Sequence, residues 1–331
     1  MINNFTGADG SGKTTLAEKT CNLSNGVYTH FDKPKDLADG KNQYFGFLND
    51  HKDDTINYIC DRFHEGEWVY APLYRGYTGN YLSEFEREII KDHNYLLTYV
   101  TANLETIITR TRIRGEDFVK EEHFQTVLNL FNDFLYLQKM PFIIVDTSTA
   151  PIPGSLIRIQ DAMKKVNNIW GSIKQCIDNK CDGVIAPTPL PRGNVEAKYM
   201  IVGQNPGGRG KGSQYQTAWS EGQTPEFLNN VLKQAGIYLD CWFTNLVLCS
   251  TENNSITTKQ ANTCIANLEY QIQLINPDII FALGEVAAKA ITKKFPNKKV
   301  IEVAHPTYIK RFYSNKPDKI QEYIDLFKVG K

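Results

Sequence analysis

Two stretches of this 331-residue chain combine glycines with polar side chains in an order that suits catalysis. Residues 7–15 read GADGSGKTT and satisfy the pattern G-x4-G-K-[ST] of phosphate-binding loops. In this pattern glycines let backbone N–H groups surround phosphates, the lysine reaches the β and γ oxygens, and the hydroxyl ligates Mg2+. We therefore predict an ATP site with Thr14 as the Mg2+ ligand, formed by Gly7, Asp9, Gly10, Gly12, Lys13, Thr14 and Thr15.

The second stretch, residues 199–212, reads YMIVGQNPGGRGKG. Its hydrophobic run stops at Gly203 and gives way to a turn that carries two cations, Arg209 and Lys211. Glycines after a strand let backbone N–H groups approach a polar ligand. Because this turn lacks the GK[ST] ending, it predicts a second site for a different ligand.

The elements that must position these turns alternate between strands and helices. Strand-like runs at residues 2–6, 27–31, 56–60, 95–100 and 142–145 alternate with segments of helical spacing such as residues 118–137. The alternation restarts after a Pro/Gly-containing stretch, with strands at residues 199–202, 242–248, 278–283 and 299–303. This pattern is typical of parallel α/β sheets flanked by helices. We predict two α/β domains, residues 1–150 and 151–331, with the boundary near residue 152.

The amino-acid composition and the distribution of charge limit the classes of protein to which the chain can belong. Apolar residues make up 41% of the chain, enough for two cores, and we see no membrane span or signal peptide. We therefore expect a cytoplasmic location, with the 7 cysteines reduced or metal-bound.

Residues 1–150 carry 15 Lys and Arg against 22 Asp and Glu, and this balance is reversed in the rest of the chain. The basic half is the better candidate for binding DNA, although solvated surface charge would give the same imbalance. Whether the protein forms an oligomer is left open.

The first half resembles thymidylate kinase and related nucleotide kinases. The resemblance rests on Asp9 inside the loop, on FDKP at residues 31–34, on CDRFH at 60–64, and on TRTRIRGED at 109–117. It implies transfer of a phosphoryl group from ATP to a nucleotide, with Asp32 and Arg62 in catalysis and Asp61 and Arg62 at the acceptor. It also implies an arginine-bearing lid in which Arg110 and Arg114, one helical turn apart, close over the phosphates, while Arg112 points away. A solvated helix face is the alternative for these arginines.

The second half resembles the uracil-DNA glycosylase superfamily in four motifs that occur in the right order. They are GQNPG at residues 203–207, FTNLVLCS at 243–250, PDIIFALGEVAAKAI at 277–291 and VAHPTYIKRF at 303–312. The resemblance implies that the site holds a flipped deoxynucleotide. Asn205 would orient water, His305 would donate to the leaving base, and Gln204, Trp219 and Asn245 would contact the base, with Tyr215 a second candidate for stacking. DNA contacts would come from Arg209, Lys211, Tyr308, Ile309, Lys310 and Arg311, with Tyr308 and Ile309 as a wedge in the base stack.

Within that superfamily the chain is most similar to the iron–sulfur type. The similarity implies that Cys176, Cys181, Cys249 and Cys264 hold a [4Fe–4S] cluster, since four thiolates are the usual ligands of such a cluster. The C-x4-C spacing of Cys176 and Cys181 departs from the C-x2-C of the family. Zinc, or four core residues without metal, are the alternatives.

One departure leaves the function open. Gln204 stands where the iron–sulfur type carries a glutamate, and an amide cannot act as a general base at neutral pH. Our leading hypothesis is a fused pyrimidine deoxynucleotide kinase and uracil-DNA glycosylase, which suits a virus or cell that controls uracil or modified pyrimidines. The second is a kinase that phosphorylates a hydroxylated pyrimidine such as 5-hydroxymethyluracil in DNA, with the glycosylase fold as a base-flipping module. The third is a non-catalytic sensor of DNA bases.

Overall fold

The computed structural model describes residues 1–51, 55–92, 94–115, 119–178, 184–185, 189–207, 217–251 and 254–328. Contacts divide the chain into two compact units, Met1–Asn167 and Asn168–Lys331, called here the N-terminal and the C-terminal unit. The division falls within a long helix, and the predicted junction near residue 152 coincides with the start of that helix. The helix begins on the N-terminal unit because Arg158 donates to the carbonyl of Ile144 at 2.9 Å, and Asn94 donates to Asn167.

The N-terminal unit is a five-stranded parallel sheet with helices in the connections, in the order β5-β4-β1-β3-β2. Single turns of 3-10 helix lie at Gly79–Tyr81 and Glu121–His123. The elements are β1 (Ile2–Thr6), α1 (Lys13–Ser24), β2 (Val27–His30), α2 (Leu37–Asp50), β3 (Tyr58–Asp61), α3 (Glu65–Tyr74), α4 (Leu82–Asp92), β4 (Tyr95–Thr101), α5 (Leu104–Arg114), α6 (Phe124–Leu135) and β5 (Pro141–Asp146).

Strand β1 is polar in sequence and yet lies fully buried at the centre of this sheet. The side-chain oxygens of its asparagines accept hydrogen bonds from neighbouring elements, which lowers the cost of burying them. Asn3 Oδ1 accepts a hydrogen bond from Thr98 Oγ1 at 2.8 Å, and Asn4 Oδ1 accepts one from the Phe63 N–H at 3.3 Å. Asn4 also donates to the buried carboxyl of Glu65. These contacts explain how a strand without alternating apolar residues can occupy the core.

The C-terminal unit has a five-stranded sheet in the order β12-β11-β8-β9-β7 and a separate antiparallel pair, β10-β6. Strands β12, β11, β8 and β9 are parallel, as predicted, whereas β7 runs antiparallel to β9. A 3-10 turn lies at Tyr238–Asp240. The elements are α7 (Ile152–Asp178), which enters from the N-terminal unit, β6 (Val184–Ile185), β7 (Arg192–Asn194), β8 (Tyr199–Gly203), α8 (Gln223–Ala235), β9 (Cys241–Asn245), β10 (Ser250–Thr251), α9 (Thr258–Ile275), β11 (Ile279–Leu283), α10 (Glu285–Lys294), β12 (Lys299–Val303), α11 (Pro306–Tyr313) and α12 (Pro317–Leu326).

The two predicted ligand turns follow the carboxyl ends of strands, where open α/β sheets bind ligands. Residues 7–12 follow β1, beside Asp61 at the end of the neighbouring strand β3. Gly203 ends β8 and pairs in register with Asn245, the last residue of β9. None of the helices in the described part of the chain is long and apolar enough to cross a bilayer.

Candidate functional site

The loop between β1 and α1 requires its glycines. Gly7, Gly10 and Gly12 have φ values of 147°, 81° and 89°, in the region that L side chains rarely adopt. A Cβ at Gly7 would lie 2.0 Å from the carbonyl oxygen of Val100. The sequence pattern thus corresponds to a tight turn that passes directly against the end of β4.

Lys13 opens α1 and is buried beside the loop. Its Nζ lies 3.0 Å from Asp9 Oδ1 and 3.3 Å from the Ala8 carbonyl. Arg62 approaches the same Asp9 oxygen at 3.5 Å. Burial acts against ionisation of Asp9, but the charges of Lys13 and Arg62 hold its pKa below the usual value. Lys13 and Arg62 therefore both lie within hydrogen-bond reach of the Asp9 carboxylate, while Thr15 lies exposed on α1.

Asp61 lies opposite Thr14. Its Oδ2 accepts hydrogen bonds from Thr14 Oγ1 at 2.7 Å and from Tyr28 OH at 3.1 Å, and His30 Nδ1 lies 3.1 Å away. Its Oδ1 is buried and has no hydrogen-bond partner among the described residues. Arg62 has a left-handed backbone with φ of 63°, and its side chain instead approaches Asp9. The adjacent residues Asp61 and Arg62 therefore contact different partners. The sequence analysis predicted that Asp61 contacts the acceptor nucleotide, whereas in the structure it pairs with Thr14.

A cavity of about 180 Å3 adjoins the loop. One part of its wall is charged and includes Asp9, Lys13, Asp32 and Arg62. Much of the rest is aromatic, and the full lining comprises Thr6, Gly7, Asp9, Lys13, Phe31, Asp32, Lys33, Pro34, Tyr44, Arg62, Phe63, Gly66, Glu67, Tyr70 and Arg75. A polar molecule with one flat apolar part matches such a wall.

Glu67 is a cavity residue that the sequence analysis did not single out. It is buried on α3, pairs with Arg75, and accepts hydrogen bonds from Tyr77 OH at 2.6 Å and Tyr81 OH at 3.4 Å. The available signal was the presence of two acids, Glu65 and Glu67, in the otherwise largely apolar and aromatic helix EGEWVYAPLY. Its partners come from two later turns, so the sequence alone did not bring them together.

The arginines of α5 have three different environments. Arg110 donates to the carbonyl of Gly10 at 3.3 Å, to Thr147 Oγ1 at 2.8 Å and to the Thr147 carbonyl at 2.9 Å. Arg112 pairs with Glu121 at 2.6 Å on the exposed side, where the helical spacing places it. The charge of Arg114 contributes to the lowered pKa of Asp9. Arg110 thus braces the glycine loop against the end of β5, and Arg114 lies within electrostatic range of it.

In the C-terminal unit, Gly203 lets two larger side chains approach the end of β8. A Cβ at this position would lie 2.3 Å from Trp219 Cζ2 and 2.5 Å from Asn245 Oδ1. Trp219 Nε1 donates to the carbonyl of Thr244 at 3.1 Å, which holds the indole along β9. Asn245 is 4% exposed, and its Oδ1 has no hydrogen-bond partner in the described part of the chain. The indole of Trp219 and the amide of Asn245 therefore both lie against Gly203, and the amide oxygen is an acceptor without a partner among the described residues.

Gln204 and Asn205 form a linked pair of amides. Gln204 Nε2 donates to Asn205 Oδ1 at 3.1 Å and to the Asn254 carbonyl at 2.9 Å. Asn205 Nδ2 lies 3.3 Å from both Thr251 Oγ1 and the carbonyl of Pro206. The two positions that the motif predicts to face the sugar and water thus carry neutral side chains in a hydrogen-bonded chain.

His305 is positioned as a neutral donor. It caps α11, where its Nδ1 accepts a hydrogen bond from the Thr307 N–H at 3.2 Å, which leaves the ring proton on Nε2. Burial lowers its pKa, so the ring is neutral at pH 7. The ring centroid lies 5.8 Å from that of Trp219. The imidazole therefore belongs to the same site as Trp219 and Asn245.

Helix α11 corrects one predicted DNA contact. Ile309 is 8% exposed and cannot enter a base stack, because it packs inward. Tyr308 and Phe312 are 49% and 54% exposed instead, with ring centroids 5.0 Å apart. Arg311 is exposed on this helix, and Lys310 donates to Gln223 Oε1 at 2.6 Å. The predicted contacts Arg209 and Lys211, and Tyr215, lie outside the described residues.

The predicted cluster ligands lie on elements that approach one another. Ser172, one turn before Cys176 on α7, donates to Asn267 Oδ1 at 2.6 Å, and Asn267 lies one turn after Cys264 on α9. Cys249 precedes β10, whose partner β6 begins three residues after Cys181. Cys249 and Cys264 are buried, whereas Cys181 lies outside the described residues. Within the part that the structure describes, no three His, Cys, Asp or Glu side chains form a metal-binding group.

Comparisons with known proteins bear on the two units separately. Two solved structures share 19% and 17% identity over 50% of this chain: the YorR protein of Bacillus subtilis in complex with phosphorylated GDP, with a TM-score of 0.42, and deoxyadenosine kinase of M. mycoides with dCMP and dCDP bound, with a TM-score of 0.37. The chain covers 96% and 99% of these two proteins.

The model of the uracil DNA glycosylase superfamily matches residues 190–328. The type-4 uracil-DNA glycosylase of Thermotoga maritima is 31% identical over 145 residues, which cover 39% of this chain and 74% of that protein. The matched region contains the turn after β8, Trp219, Asn245 and His305. Through this C-terminal unit, the chain belongs to the uracil-DNA glycosylase superfamily.

Proposed function

We propose that the protein joins an ATP-dependent kinase for a pyrimidine deoxynucleotide to a uracil-DNA-glycosylase-type unit that acts on uracil or a modified pyrimidine in DNA. The kinase assignment rests on the glycine loop, with Lys13, Thr14 and Asp61 on one side and a charged, aromatic cavity on the other. The glycosylase assignment rests on the meeting of Trp219, Asn245 and His305 at the end of β8.

The donor half of the kinase site suits MgATP. Lys13 would balance charge on the β and γ phosphates, and Thr14 and Asp61 supply the hydroxyl and carboxylate that hold Mg2+ in loops of this kind. The buried, unpartnered Oδ1 of Asp61 fits this assignment, because the cation and its water would satisfy it. Magnesium there would neutralise phosphate charge. Arg110 and Arg114 would supply further positive charge from α5.

The acceptor half suits a pyrimidine nucleotide. Arg62 would hold its phosphate, while Asp9 and Asp32 would accept hydrogen bonds from hydroxyl groups. The aromatic wall of Phe31, Tyr44, Phe63 and Tyr70 would enclose the base, and Glu67 with Arg75 offers an acceptor and a donor for a base edge. A flat base that needs both kinds of partner fits this wall better than a purely apolar ligand.

The C-terminal unit suits a base turned out of the DNA stack. Trp219 would stack on the base and Asn245 would pair with its edge, since an amide both donates and accepts. His305 would donate from Nε2 to the oxygen on which charge develops as the glycosidic bond breaks, and Asn205 would hold a water. Tyr308 and Phe312 would contact bases beside Lys310 and Arg311 on the phosphates.

A [4Fe–4S] cluster would be held in this unit by the thiolates of Cys176, Cys181, Cys249 and Cys264. The Ser172–Asn267 hydrogen bond and the β10–β6 pairing support this ligand set, because the first joins the helices of Cys176 and Cys264 and the second joins the strand after Cys249 to the strand that follows Cys181 in sequence. Four thiolates are a suitable donor set. The cluster would tie α7, α9 and β10 into one unit beside the base site.

The linked amides of Gln204 and Asn205 favour a second function. Neither side chain can take a proton from water at neutral pH, and the Asn205 oxygen already accepts a hydrogen bond. In this alternative the C-terminal unit extrudes a base without cleaving it, and the kinase phosphorylates a hydroxylated pyrimidine such as 5-hydroxymethyluracil in DNA.

One experiment separates these functions. The protein is given radiolabelled ATP with dTMP, with dUMP, or with DNA that contains uracil or 5-hydroxymethyluracil, and both phosphate transfer and alkali-sensitive abasic sites are followed. The leading proposal expects phosphate on free nucleotides and abasic sites that disappear in Asn205→Ala. Phosphate on DNA without abasic sites would establish the alternative, and binding without either product would leave a base sensor.

A further inference from the structure

Arg192 is a buried cation that no part of the proposed chemistry uses. It lies on β7, is 1% exposed, and is paired in register with Phe243 of β9. Its guanidinium carbon stands 4.1 Å from the centroid of the Phe243 ring and 5.9 Å from that of Tyr238. A buried guanidinium is costly unless its donors find acceptors, so its partners indicate what it stabilises.

Those partners converge on the backbone of Trp219. Arg192 Nε donates to the Ala218 carbonyl at 2.7 Å, and Nη2 donates to the Trp219 carbonyl. Nη2 also donates to Asn229 Oδ1 at 3.3 Å, and Asn229 Nδ2 donates back to the Trp219 carbonyl at 3.4 Å. Nη1 donates to Tyr238 OH at 3.0 Å. Two successive carbonyls are thus held by one rigid, planar group.

The backbone that is held in this way is strained. Trp219 has φ of 57°, in the left-handed region that a bulky residue rarely adopts. This conformation accompanies the placement of the indole over Gly203, next to the unused Asn245 acceptor and 5.8 Å from His305. Strain of this kind persists only where surrounding contacts over-determine it.

We propose that Arg192 is a positioning residue that fixes Trp219 in its left-handed conformation and so orients the indole toward the base site. This inference deepens the proposed function of the C-terminal unit and rests on it for the role of Trp219. The hydrogen bonds to Ala218 and Trp219, the stacking on Phe243 and the positive φ of Trp219 are independent observations that point to the same role.

The test uses the full chain labelled with 5-fluorotryptophan, which gives one 19F resonance for each of its 4 tryptophans. The Trp219 resonance is identified by its loss in Trp219→Phe. We expect Arg192→Met to shift or broaden this resonance while the resonances of Trp68 and Trp170 stay in place.

Arg192→Lys, which keeps the charge but lacks the planar fork, should change the Trp219 resonance less and serves as the test variant if the methionine variant does not fold. Arg158→Lys is the matched control, because Arg158 also donates to a backbone carbonyl but lies in the N-terminal unit.

A folded Arg192→Met protein with an unchanged Trp219 resonance would overturn the proposal, as would an unchanged resonance in Arg192→Lys if that is the variant that folds. The functional readout is the ratio of affinities for uracil-containing and unmodified single-stranded DNA, which we expect Arg192→Met to lower about tenfold, the size of one lost base–aromatic stack. A parent protein that binds both DNAs equally would contradict the proposed function of the unit. The 19F result would still decide the role of Arg192.

Discussion

The two candidate sites differ in where they place charge. In the site of the N-terminal unit, Lys13 and Arg62 lie 3.0 Å and 3.5 Å from the Asp9 carboxylate. A buried carboxylate, that of Asp61, lies beside Thr14 in the same site. The site of the C-terminal unit is built from the neutral side chains of Gln204, Asn205, Asn245, Trp219 and His305.

This contrast suits the ligands that we propose for the two sites. A phosphoryl group carries several negative charges that must be balanced and positioned, and ionised groups do this best where water is excluded. A nucleobase is a neutral, flat molecule whose edge is read by paired donors and acceptors and whose face is covered by an aromatic ring. The chain thus has an ionic site after strands of the N-terminal unit and a neutral site after strands of the C-terminal unit.

The largest effect is expected from removing charge at the ionic site. Lys13→Ala should lower phosphoryl transfer by about three orders of magnitude, because it removes the cation that balances charge on the transferred phosphate. Steady-state transfer of radiolabelled phosphate measures this. Lys19→Ala, on the exposed side of the same helix, is the control and should retain activity. DNA binding should be unchanged in both, and normal transfer by the Lys13 variant would refute an ATP site here.

The next effect concerns the neutral site. Asn245→Asp keeps the shape of the side chain but replaces its donor by a charged acceptor, so discrimination for uracil-containing DNA should fall about 100-fold. Competition binding against unmodified DNA of the same sequence measures the ratio. Asn262→Asp, exposed on α9, adds the same charge away from the site and should leave the ratio unchanged. Undiminished discrimination in Asn245→Asp would mean that another residue reads the base.

A smaller effect separates the two faces of α11. Phe312→Ala should weaken binding to single-stranded DNA about tenfold without a change in thermal stability, because the ring is exposed beside Tyr308. Ile309→Ala should lower the melting temperature through loss of a buried side chain and leave DNA affinity of the folded protein unchanged. Fluorescence anisotropy and calorimetry measure the two quantities. The reverse pattern would restore the wedge role first predicted for Ile309.

The last effect concerns only the stability of the N-terminal unit. Burial raises the pKa of Glu65 to about 8 and lowers that of His64 to about 3. Because Glu65 binds its proton more tightly when folded, the free energy of unfolding should fall as pH rises from about 4.5 to about 8. His64 acts in the opposite sense and should reduce stability as pH falls below about 6.5.

Denaturant titrations at a series of pH values measure both changes in the free energy of unfolding. Glu65→Gln should flatten the decline in this free energy on the alkaline side. A decline of the same slope in that variant would assign it to other groups.

Much of the fold was readable from local sequence. Strands at residues 199–202 and 299–303 were predicted within a residue of β8 and β12, because short runs rich in apolar and β-branched residues between turns indicate strands. β1 was predicted despite its polar sequence, because the glycine loop after it requires a strand there. The long run at residues 242–248 was read as strand throughout, but β9 ends at Asn245, where Leu246 turns to donate to the carbonyl of Gly203.

The sequence by itself determined where the two ligand turns lie, since a glycine-rich stretch directly after a strand is a local signal, and in the first turn Gly7, Gly10 and Gly12 have positive φ. Only the tertiary structure decided which side chains complete each site. Glu67 lines the cavity and accepts hydrogen bonds from Tyr77 and Tyr81, and Arg192 reaches Trp219 across 27 residues of chain. The face of α11 that points outward was also undecided, because Tyr308, Ile309 and Phe312 all lie on this short helix and only its contacts with the rest of the unit decide that Ile309 is the buried one. These choices depend on contacts between residues distant in sequence, and one sequence holds no local signal for them.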